Sequence, residues 1–593
     1  MSEKSTKPKF NTSLLWRVLG LTKPYQWAFA LAIFLTVVLA PLASLRPYLM
    51  QRAVDEHIFK LDLEGLTRIT GLLFVVLFIE AALQYIFNMT ISRLGQNIIR
   101  DLRVRVFQHV TSLNLSYFDK TPIGQSTTRT ISDIETINTI FSDGVIAIIA
   151  DLLSLFFILG MMLWTSWKLT LICMVVLPFL LVGAYLFKES VRKSFQSVRN
   201  QVSNMNSFLQ EQISGMRIVQ IFNAEEKEAK KFEKINTDYK KANLNAILAY
   251  AIFFPFVEII SAAALGIMVW YGSKGVLEGH MTLGILVAFP IYLGMLFRPI
   301  RMLADKFNSL QMGMVAAERV FKLLDDTTFL EQNTPKPAQN GSDTGGGAAV
   351  AFRNVWFAYE PQHWILKDIS FELERGKTLA IVGSTGSGKT TIMSLLGRLY
   401  EIQKGNILIQ NQDIQHMDLS ILRKKMSIVL QDVFLFNGTI LENITLRRTD
   451  ISPAQVVEAA KLIGAHEFIE KLPNAYDYVV MERGAALSMG QRQLISFVRA
   501  LVFDPEILIL DEATSSIDPE TEATIQYAIE KLIAKRTSII IAHRLSTIRH
   551  AEKIMVLEKG EIKEIGSHET LLKNEHGHYR ELYEMQFSNV ANG

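Results

Sequence analysis

Six long apolar segments fill most of the first half of this 593-residue chain. A bilayer core is crossed by roughly 17 to 25 helical residues, so each segment is long enough to span a membrane. In lipid the backbone must satisfy its own hydrogen bonds, which makes helices the expected form. One such segment could be a buried helix of a soluble protein, but six together predict an all-α membrane domain. The segments are 27–48, 68–92, 144–167, 169–187, 246–272 and 281–298.

Composition supports a membrane protein and argues against a nucleic-acid-binding protein and a disulfide-bonded or thiolate-metal protein. Hydrophobic residues make up 49% of the chain, and the formal net charge is only +3. This charge gives no bulk electrostatic reason to expect a nucleic-acid partner. Cys173 is the only cysteine, which excludes an intrachain disulfide and argues against a thiolate metal cluster. The N-terminus lacks the apolar core of a signal peptide, so the first span is expected to be retained.

Basic residues predict how the spans are oriented. They cluster before the first span and after the second, whereas the loop after the first span carries several acids. Under the positive-inside rule this pattern predicts a multi-pass protein of the cytoplasmic (inner) membrane, with both termini in the cytoplasm. The basic residues are Lys4, Lys7, Lys9, Arg17, Lys23, Arg93, Arg100, Arg103 and Arg105.

The connections between the spans differ in length. Long polar stretches of helical character join the second span to the third (about 93–143) and the fourth to the fifth (about 188–245). A helix of about 25 residues extends nearly 40 Å, at 1.5 Å per residue. Each stretch is therefore predicted to form a helical hairpin that reaches into the cytoplasm and returns. The expected turns lie at 118–124 and 214–222.

The second half of the chain contains a phosphate-binding loop. Residues 383–390 fit the motif G-x-x-x-x-G-K-[ST], which follows an apolar strand at 379–382 and precedes a helix at 391–396. In such a loop the backbone N–H groups surround phosphates, Lys389 reaches the outer ones, and the Thr390 hydroxyl binds Mg²⁺. The sequence therefore predicts ATP and Mg²⁺ as ligands. The loop residues are Gly383, Ser384, Thr385, Gly386, Ser387, Gly388, Lys389 and Thr390.

A second strand supplies the carboxylates that this chemistry needs. Residues 507–510 are apolar and are followed by Asp511 and Glu512. In phosphate-loop enzymes an acid at such a strand end holds Mg²⁺, so Asp511 takes that role. Glu512 is next in line and can polarise the attacking water. A buried strand with a polar end would be the simpler interpretation, but the upstream phosphate loop disfavours it.

The linker between the halves is rich in Pro, Gly and polar residues and has no apolar period. We therefore predict a transmembrane domain over 1–325, a flexible linker over 326–349 and an α/β nucleotide-binding domain over 350–593.

The run Leu487-Ser488-Met489-Gly490-Gln491 resembles L-S-G-G-Q, the signature of ATP-binding cassette (ABC) proteins. It lies between the phosphate loop and the acidic strand, as in that family. Other segments resemble further cassette motifs, and the resemblance extends over nearly the whole chain. These segments contain Gln431 (metal and transmembrane contact), Ser515–Asp518 (the loop between paired cassettes), His543 (γ-phosphate), Tyr359 (adenine stacking) and Glu482–Gly484 (an exporter loop).

The order of spans and cassette is similar to the exporter branch related to P-glycoprotein and the lipid A flippase. The resemblance implies that two cassettes pair head to tail. Ser488 and Gly490 of one would then cover the γ-phosphate held by the loop of the other. Thr391, Gln491 and Asp518 are also counted among the nucleotide-binding residues. A chain with one cassette is therefore expected to dimerise, export compounds at the expense of ATP, and use Gln431, Glu512 and His543 in hydrolysis.

Met489 departs from the family pattern, because it occupies the first glycine position of the signature. If its side chain turns away from ATP, both sites work and the protein is a homodimer. If it weakens the signature, the chain pairs with a different half-transporter as a heterodimer. Both alternatives stay open at the level of sequence.

The cargo is predicted only as a hydrophobic or amphipathic compound, a drug or a lipid. Glu80, Asp151 and Glu258 lie within predicted spans, where an ionisable group faces the bundle interior or a partner. They either line a pathway for cationic amphiphiles or form interhelical hydrogen bonds without a role in transport. Rival functions are a dedicated lipid flippase, a non-transporting cassette ATPase and an importer.

Overall fold

We describe the protein from a computed structural model. It describes residues 12–327, 348–481, 484, 486–511, 519–534, 536–541, 548–549 and 551–587. The chain divides into two compact units, one formed by 1–111 with 122–326 and the other by 112–121 with 327–593. The short segment 112–121 thus belongs to the same unit as the nucleotide-binding half. Most of the predicted linker lies outside the described residues, so its flexibility stays a prediction.

The first unit is built of helices. Most side chains along the apolar segments need no hydrogen-bond partner, and the backbone N–H and C=O groups bond to each other within each helix. The helices are α1 (Thr12–Gly20), α2 (Gln26–Arg52), α3 (Leu63–Ser112), α5 (Ile123–Thr130), α6 (Ser132–Thr139), α7 (Val145–Met174), α8 (Leu177–Ser214), α9 (Met216–Ile221), α10 (Glu225–Leu277) and α11 (Leu283–Leu324). Short π-helical turns follow α2 at Ala53–Ile58 and precede α7 at Ile140–Gly144, and a 3₁₀ turn at Lys23–Tyr25 precedes α2.

Length and hydropathy identify most of the predicted spans in these helices. Among the described residues, four stretches are long and apolar enough to cross a membrane, and a shorter apolar helix covers Leu283–Pro299. The fourth predicted span (169–187) runs from the end of α7 into α8. Helix α8 is not among the four stretches, so this span stays a prediction. The four stretches are Lys23–Ile58, Leu63–Ser112, Ile123–Met174 and Glu225–Leu277.

The boundary between the third and fourth spans differs from the prediction. The sequence suggested a break between 167 and 169, but α7 continues to Met174 and α8 begins at Leu177. Ser166 has non-helical angles (φ −160°, ψ 102°), so α7 kinks where the break was expected. The helix resumes because the Ser166 hydroxyl accepts a hydrogen bond from the Leu169 N–H. The chain turns just before Pro178, a residue suited to a first helical turn.

The expected turns of the two hairpins coincide with short helices. Between α3 and α5 the chain forms α4 (Leu115–Lys120), and the 121–122 step separates α4 from α5. Between α8 and α10 it forms α9. Both α3 and α8 continue well past their apolar segments, as the polar stretches predicted.

One contact in the first unit joins the end of α2 to the start of α11. Asp55 accepts hydrogen bonds from the Thr282 hydroxyl (2.6 Å) and from the Gly284 N–H (2.7 Å). Asp55 therefore satisfies a backbone donor in the first turn of α11 that has no intrahelical partner. Further along, the Tyr292 hydroxyl donates to the Ser44 carbonyl at 3.0 Å. These bonds connect the first and the last long helices of the unit.

The second unit contains α4 and an α/β assembly built on a main sheet. The strands of this sheet are β3 (Thr378–Val382), β6 (Met426–Val429), β9 (Ile507–Asp511), β10 (Thr537–Ile541), β11 (Lys553–Glu558) and β12 (Glu561–Gly566). Within the described ranges their order is β12-β11-β3-β10-β9-β6, parallel throughout except for β12. Strands β3, β9 and β10 are buried along their whole length, as expected for a parallel sheet covered on both faces.

An antiparallel sheet and a short strand pair complete the strands that the structure describes. These strands are β1 (Val350–Ala358), β2 (Trp364–Leu373), β4 (Lys404–Ile409), β5 (Gln412–Asp413), β7 (Gly438–Thr439) and β8 (Val479–Val480). The antiparallel sheet has the order β2-β1-β4-β5, and β7 pairs with β8. The helices of this half are α12 (Lys389–Leu396), α13 (Leu419–Lys424), α14 (Ile440–Thr445), α15 (Pro453–Leu462), α16 (His466–Glu470), α17 (Met489–Val502), α18 (Pro519–Ile533), His568–Leu572 and His578–Phe587.

The contact at Gly284 predicts a stability effect. A Cβ atom there would lie 2.4 Å from the Gln51 carbonyl oxygen and 2.6 Å from Asp55 Oδ2. Because the first of these atoms belongs to a backbone, it cannot move aside easily, and we expect Gly284→Ala to cost about 1–3 kcal/mol. The apparent melting midpoint of the detergent-solubilised protein should fall. Gly294→Ala in the same helix is the matched control, because a Cβ atom there meets nothing within 4 Å. Equal midpoints for both variants would contradict the proposed packing.

Candidate active site

The parallel sheet brings several predicted site residues to one edge. Asp511 pairs with Ile541, and Ile541 pairs with Ile381, so β9, β10 and β3 end side by side. Strand β6 ends next to them, because Val429 pairs with Leu510. The carboxyl edge of such a sheet is where ligands bind in open α/β folds. The phosphate loop, Gln431 and Asp511 therefore emerge at the same edge.

The phosphate loop depends on glycines for its shape. Gly386 and Gly388 have φ values of +81° and +106°, a region that residues with a Cβ atom rarely adopt. A Cβ atom on Gly388 would lie 2.6 Å from Leu366, and one on Gly383 would lie 2.0 Å from the Leu557 carbonyl oxygen. Helix α12 starts directly after the loop, so its unpaired N–H groups point to the loop.

Lys389 is buried inside this loop, with 8% of its surface exposed. Its ammonium donates hydrogen bonds to the carbonyls of Gly383 (2.8 Å) and Ser384 (3.0 Å). Burial lowers the pKa of Lys389, and the Asp511 carboxylate acts in the opposite direction. The Ser387 hydroxyl is also buried and has no hydrogen-bond partner among the described residues. A buried cation and an unpaired hydroxyl at a helix start fit a bound polyphosphate.

Oxygen ligands suited to Mg²⁺ lie at the same edge. Asp511 is 7% exposed at the end of β9, Thr390 is exposed in the first turn of α12, and Gln431 is exposed in the loop after β6. Carboxylate, hydroxyl and amide oxygens are the donors that Mg²⁺ accepts next to phosphates. The residues present therefore fit the ion.

Tyr359 follows β1 and is held at its edges. Its ring makes T-shaped contacts with Phe357 (4.8 Å between centroids) and Tyr400 (5.1 Å). Its hydroxyl lies 3.2 Å from the buried Thr391 hydroxyl. The ring is still 43% exposed, which leaves surface for a stacked base. Thr391 thus contacts Tyr359 through its side chain, and a contact with the nucleotide stays a prediction.

The signature residues form the N-terminal cap of α17. The Ser488 hydroxyl accepts the Gln491 N–H at 3.2 Å, and the Gln491 side chain accepts the Ser488 N–H at 3.0 Å. This reciprocal pair is a capping box. The Ser488 O–H proton stays available to a further acceptor, whereas the Gln491 side chain is used by the cap. Gly490 is buried, and Met489 is half-buried at the first helical position.

Several predicted site residues cannot be placed. They lie outside the described residues, and their roles stay predictions. They are Glu482, Arg483, Glu512, Ser515, Asp518 and His543.

The intramembrane acids have different surroundings. Glu80 Oε2 lies 3.0 Å from Arg46 Nε, and Asp151 Oδ2 lies 2.5 Å from Lys306 Nζ. Glu258 is exposed on α10 and forms no hydrogen bond or ion pair with any residue that the structure describes. The first two therefore have partners within the unit, as the hypothesis of interhelical bonds expects.

Two residues of the second unit were not foreseen. The Tyr400 hydroxyl donates to Asp119 Oδ2, although the two residues are 281 positions apart. No sequence motif connects them, and Asp119 appeared only as part of an expected turn.

Comparison with known proteins identifies the family. The ABC transporter transmembrane region matches residues 29–300, and the ABC transporter domain matches residues 366–515. The chain is 38% identical to the uncharacterized ABC transporter ATP-binding protein YknV of Bacillus subtilis, over 99% of this chain and 97% of the relative. An ATP-dependent lipid A-core flippase of Desulfotalea psychrophila is 36% identical, over 97% and 100% of the two chains.

Two further comparisons agree. YheH of Bacillus subtilis, described as a probable multidrug resistance ABC transporter ATP-binding/permease protein, is 36% identical over 91% of this chain and 80% of its own. The structure of a bacterial Atm1-family ABC exporter with ATP bound superposes with a TM-score of 0.76 at 29% identity, over 95% and 98% of the chains. With a transmembrane domain and an ATPase domain in one polypeptide, this protein belongs to the ABC transporters and has the fold of their ATP-driven exporters.

Proposed function

We propose that this exporter works as a dimer in the cytoplasmic membrane, with both termini in the cytoplasm, and moves amphipathic or hydrophobic compounds. The single observation that carries the dimer is the division of phosphate-binding donors between two places. Lys389 and Ser387 offer an ammonium and a hydroxyl at the phosphate loop, whereas the Ser488 proton is offered by a separate helix cap. Head-to-tail pairing of two cassettes would bring both sets of donors to one γ-phosphate.

The loop binds phosphate from one side in this proposal. Its donors are the backbone amides, the Lys389 ammonium and the Ser387 hydroxyl. The partner's Ser488 would donate its free O–H proton to the γ-phosphate from the other side. The positive end of α17 supports this contact, because the first N–H groups of a helix attract anions. ATP would thus hold two cassettes together, and loss of the γ-phosphate would release them.

The residues at the sheet edge supply the hydrolytic chemistry in this proposal. Thr390, Gln431 and Asp511 would hold Mg²⁺, which when bound neutralises phosphate charge. Glu512 would accept a proton from the attacking water, and His543 would hold the γ-phosphate by a hydrogen bond. Tyr359 would stack on the adenine. Support comes from the shared edge of β3, β6, β9 and β10.

We propose a homodimer, and the position of Met489 supports it. Met489 begins α17, while the capping box that orients the Ser488 hydroxyl forms without any contribution from the residue 489 side chain. A glycine is therefore not needed for the cap itself. The alternative is a heterodimer with a second half-transporter, in which Met489 weakens one of two sites.

The names of the relatives support the class of cargo. One relative is described as a lipid A-core flippase and another as a probable multidrug resistance transporter. The first name denotes a lipid cargo and the second denotes resistance to several drugs. A dedicated lipid flippase is the second candidate. Stimulation of the ATPase by lipids, with none by drugs, would favour that candidate.

Substitution of the proposed base tests hydrolysis. Glu512→Gln keeps the size of the side chain but removes its basic carboxylate, so we expect ATP turnover to be abolished while ATP binding survives. The measurement is ATPase activity and nucleotide affinity of the protein in nanodiscs. Turnover near the parent level would remove Glu512 from this role.

A second substitution separates homodimer from heterodimer. If Met489 does not disturb the signature, Met489→Gly should leave the ATPase activity of the purified protein within about twofold of the parent, since no hydrogen bond of the cap is lost. Purification should yield a single gene product. A rise in activity of tenfold or more, or a second half-transporter that co-purifies, would support the heterodimer instead.

The acids of the membrane domain give a test of cargo. Glu258 lies near the middle of the predicted span 246–272 without a described partner, so an organic cation would find an unpaired carboxylate there. We expect Glu258→Gln to slow transport of a cationic amphiphile and to spare a neutral one. Asp151→Asn is the matched control. It leaves Lys306 without its ion pair, so it should lower the melting midpoint rather than select between cargos.

Equal transport of the cation by parent and Glu258→Gln would exclude this carboxylate from the pathway. A loss of dimer in that variant would instead assign Glu258 to a subunit contact.

A further inference from the structure

The short helix α4 (Leu115–Lys120) carries a contact with the nucleotide-binding half. It belongs to the second unit although its sequence lies between helices of the first. Asp119 of α4 accepts a hydrogen bond from the Tyr400 hydroxyl. Asp119 is exposed and Tyr400 is half-buried, so this hydrogen bond lies at the surface of the unit.

Tyr400 is at the same time part of an aromatic cluster around Tyr359. The rings of Tyr400 and Tyr359 are T-shaped, with 5.1 Å between centroids and an interplanar angle of 87°. Phe357 contacts both rings, at 5.9 Å from Tyr400 and 4.8 Å from Tyr359. T-shaped pairs place the positive edge of one ring on the negative face of the other, so a shift of either ring is felt by its neighbour.

The Tyr359 hydroxyl adds a link to the phosphate loop. It lies 3.2 Å from the hydroxyl of Thr391, and Thr391 is in the first turn of α12, directly after Thr390. A continuous chain of contacts thus leads from Asp119 through Tyr400 and Tyr359 to the start of α12.

We propose that Tyr400 is a positioning residue, which uses its hydrogen bond to Asp119 to fix the ring of Tyr359 for the adenine. The proposal rests on the proposed role of Tyr359 in adenine stacking. It adds that the affinity of a cassette for ATP depends on the hydrogen bond between Tyr400 and Asp119.

The chemistry of the bond supports this role. A phenol that donates to a carboxylate forms a charge-assisted hydrogen bond, which is stronger than a neutral one. Burial and the Asp119 carboxylate raise the pKa of Tyr400 above its ordinary value, so the hydroxyl remains a donor at neutral pH. The bond therefore fixes the Tyr400 ring beside Tyr359 within the second unit.

Four variants of the full-length protein in nanodiscs test the proposal. Tyr400→Phe keeps the ring and removes the donor, and Asp119→Ala removes the acceptor. Each should raise the KM for ATP about fivefold, which is the effect of one ordinary hydrogen bond, and leave kcat within about twofold. The double variant should be no worse than either single one, because both remove the same bond. Asp119→Asn keeps an acceptor oxygen but loses the charge, so its KM should lie between those of the parent and Asp119→Ala.

Two further measurements separate positioning from mere stability. Inorganic tripolyphosphate has no base, so its inhibition constant should be the same for Tyr400→Phe and the parent. Tyr359→Ala should itself raise the KM for ATP, and if it does not, the stacking role fails rather than the link to Asp119. An unchanged KM in Tyr400→Phe would overturn the proposal. The proposal would also be overturned if the KM increases of the two single variants multiplied in the double variant. The same holds if Tyr400→Phe weakened tripolyphosphate binding by the factor by which it raises the KM for ATP.

Discussion

The buried ammonium of Lys389 is the charge around which the nucleotide-binding half is arranged. It is removed from water and held by two carbonyls of its own loop, which cannot neutralise it. A desolvated cation of this kind is stabilised by an anion, and the amides at the start of α12 favour the same partner. The parallel sheet then determines what else can reach that anion. Because β3, β6, β9 and β10 end together, Asp511 and Gln431, which we propose as Mg²⁺ ligands, emerge beside the loop.

The parts of this arrangement that could be predicted from sequence are local. The phosphate loop, the acid at the end of β9 and the signature at the start of α17 each occupy a few consecutive residues, so their spacing carries the chemistry. The long apolar segments are also local signals, since lipid demands helices of a limited length. The ABC exporter fold and ATP-driven export, both expected from these motifs, are confirmed by the family matches and by the similar exporter structure.

The parts that could not be predicted depend on contacts between distant residues. Hydropathy does not show that the Ser166 hydroxyl restarts α7 after the kink, so the fourth helix was expected to begin too early. Hydropathy predicts that Glu80 and Asp151 lie in spans, but only the fold shows their cationic partners Arg46 and Lys306. The bond between Asp119 and Tyr400 joins positions that share no motif. In each case a polar group is satisfied by a residue that the fold, and not the local sequence, brings near.

Cross-linking between subunits tests most directly whether ATP joins two cassettes. Cys173 is the only native cysteine, so a Cys173→Ser background allows a new pair, Thr385→Cys in the phosphate loop and Met489→Cys in the signature. Thr385 occupies a variable position of the loop motif, which contributes backbone N–H groups rather than its side chain. With Glu512→Gln to prevent turnover, we expect a cross-linked dimer that forms with Mg-ATP and not without nucleotide. A protein that binds Mg-ATP fully and yet remains uncross-linked and monomeric would contradict the account.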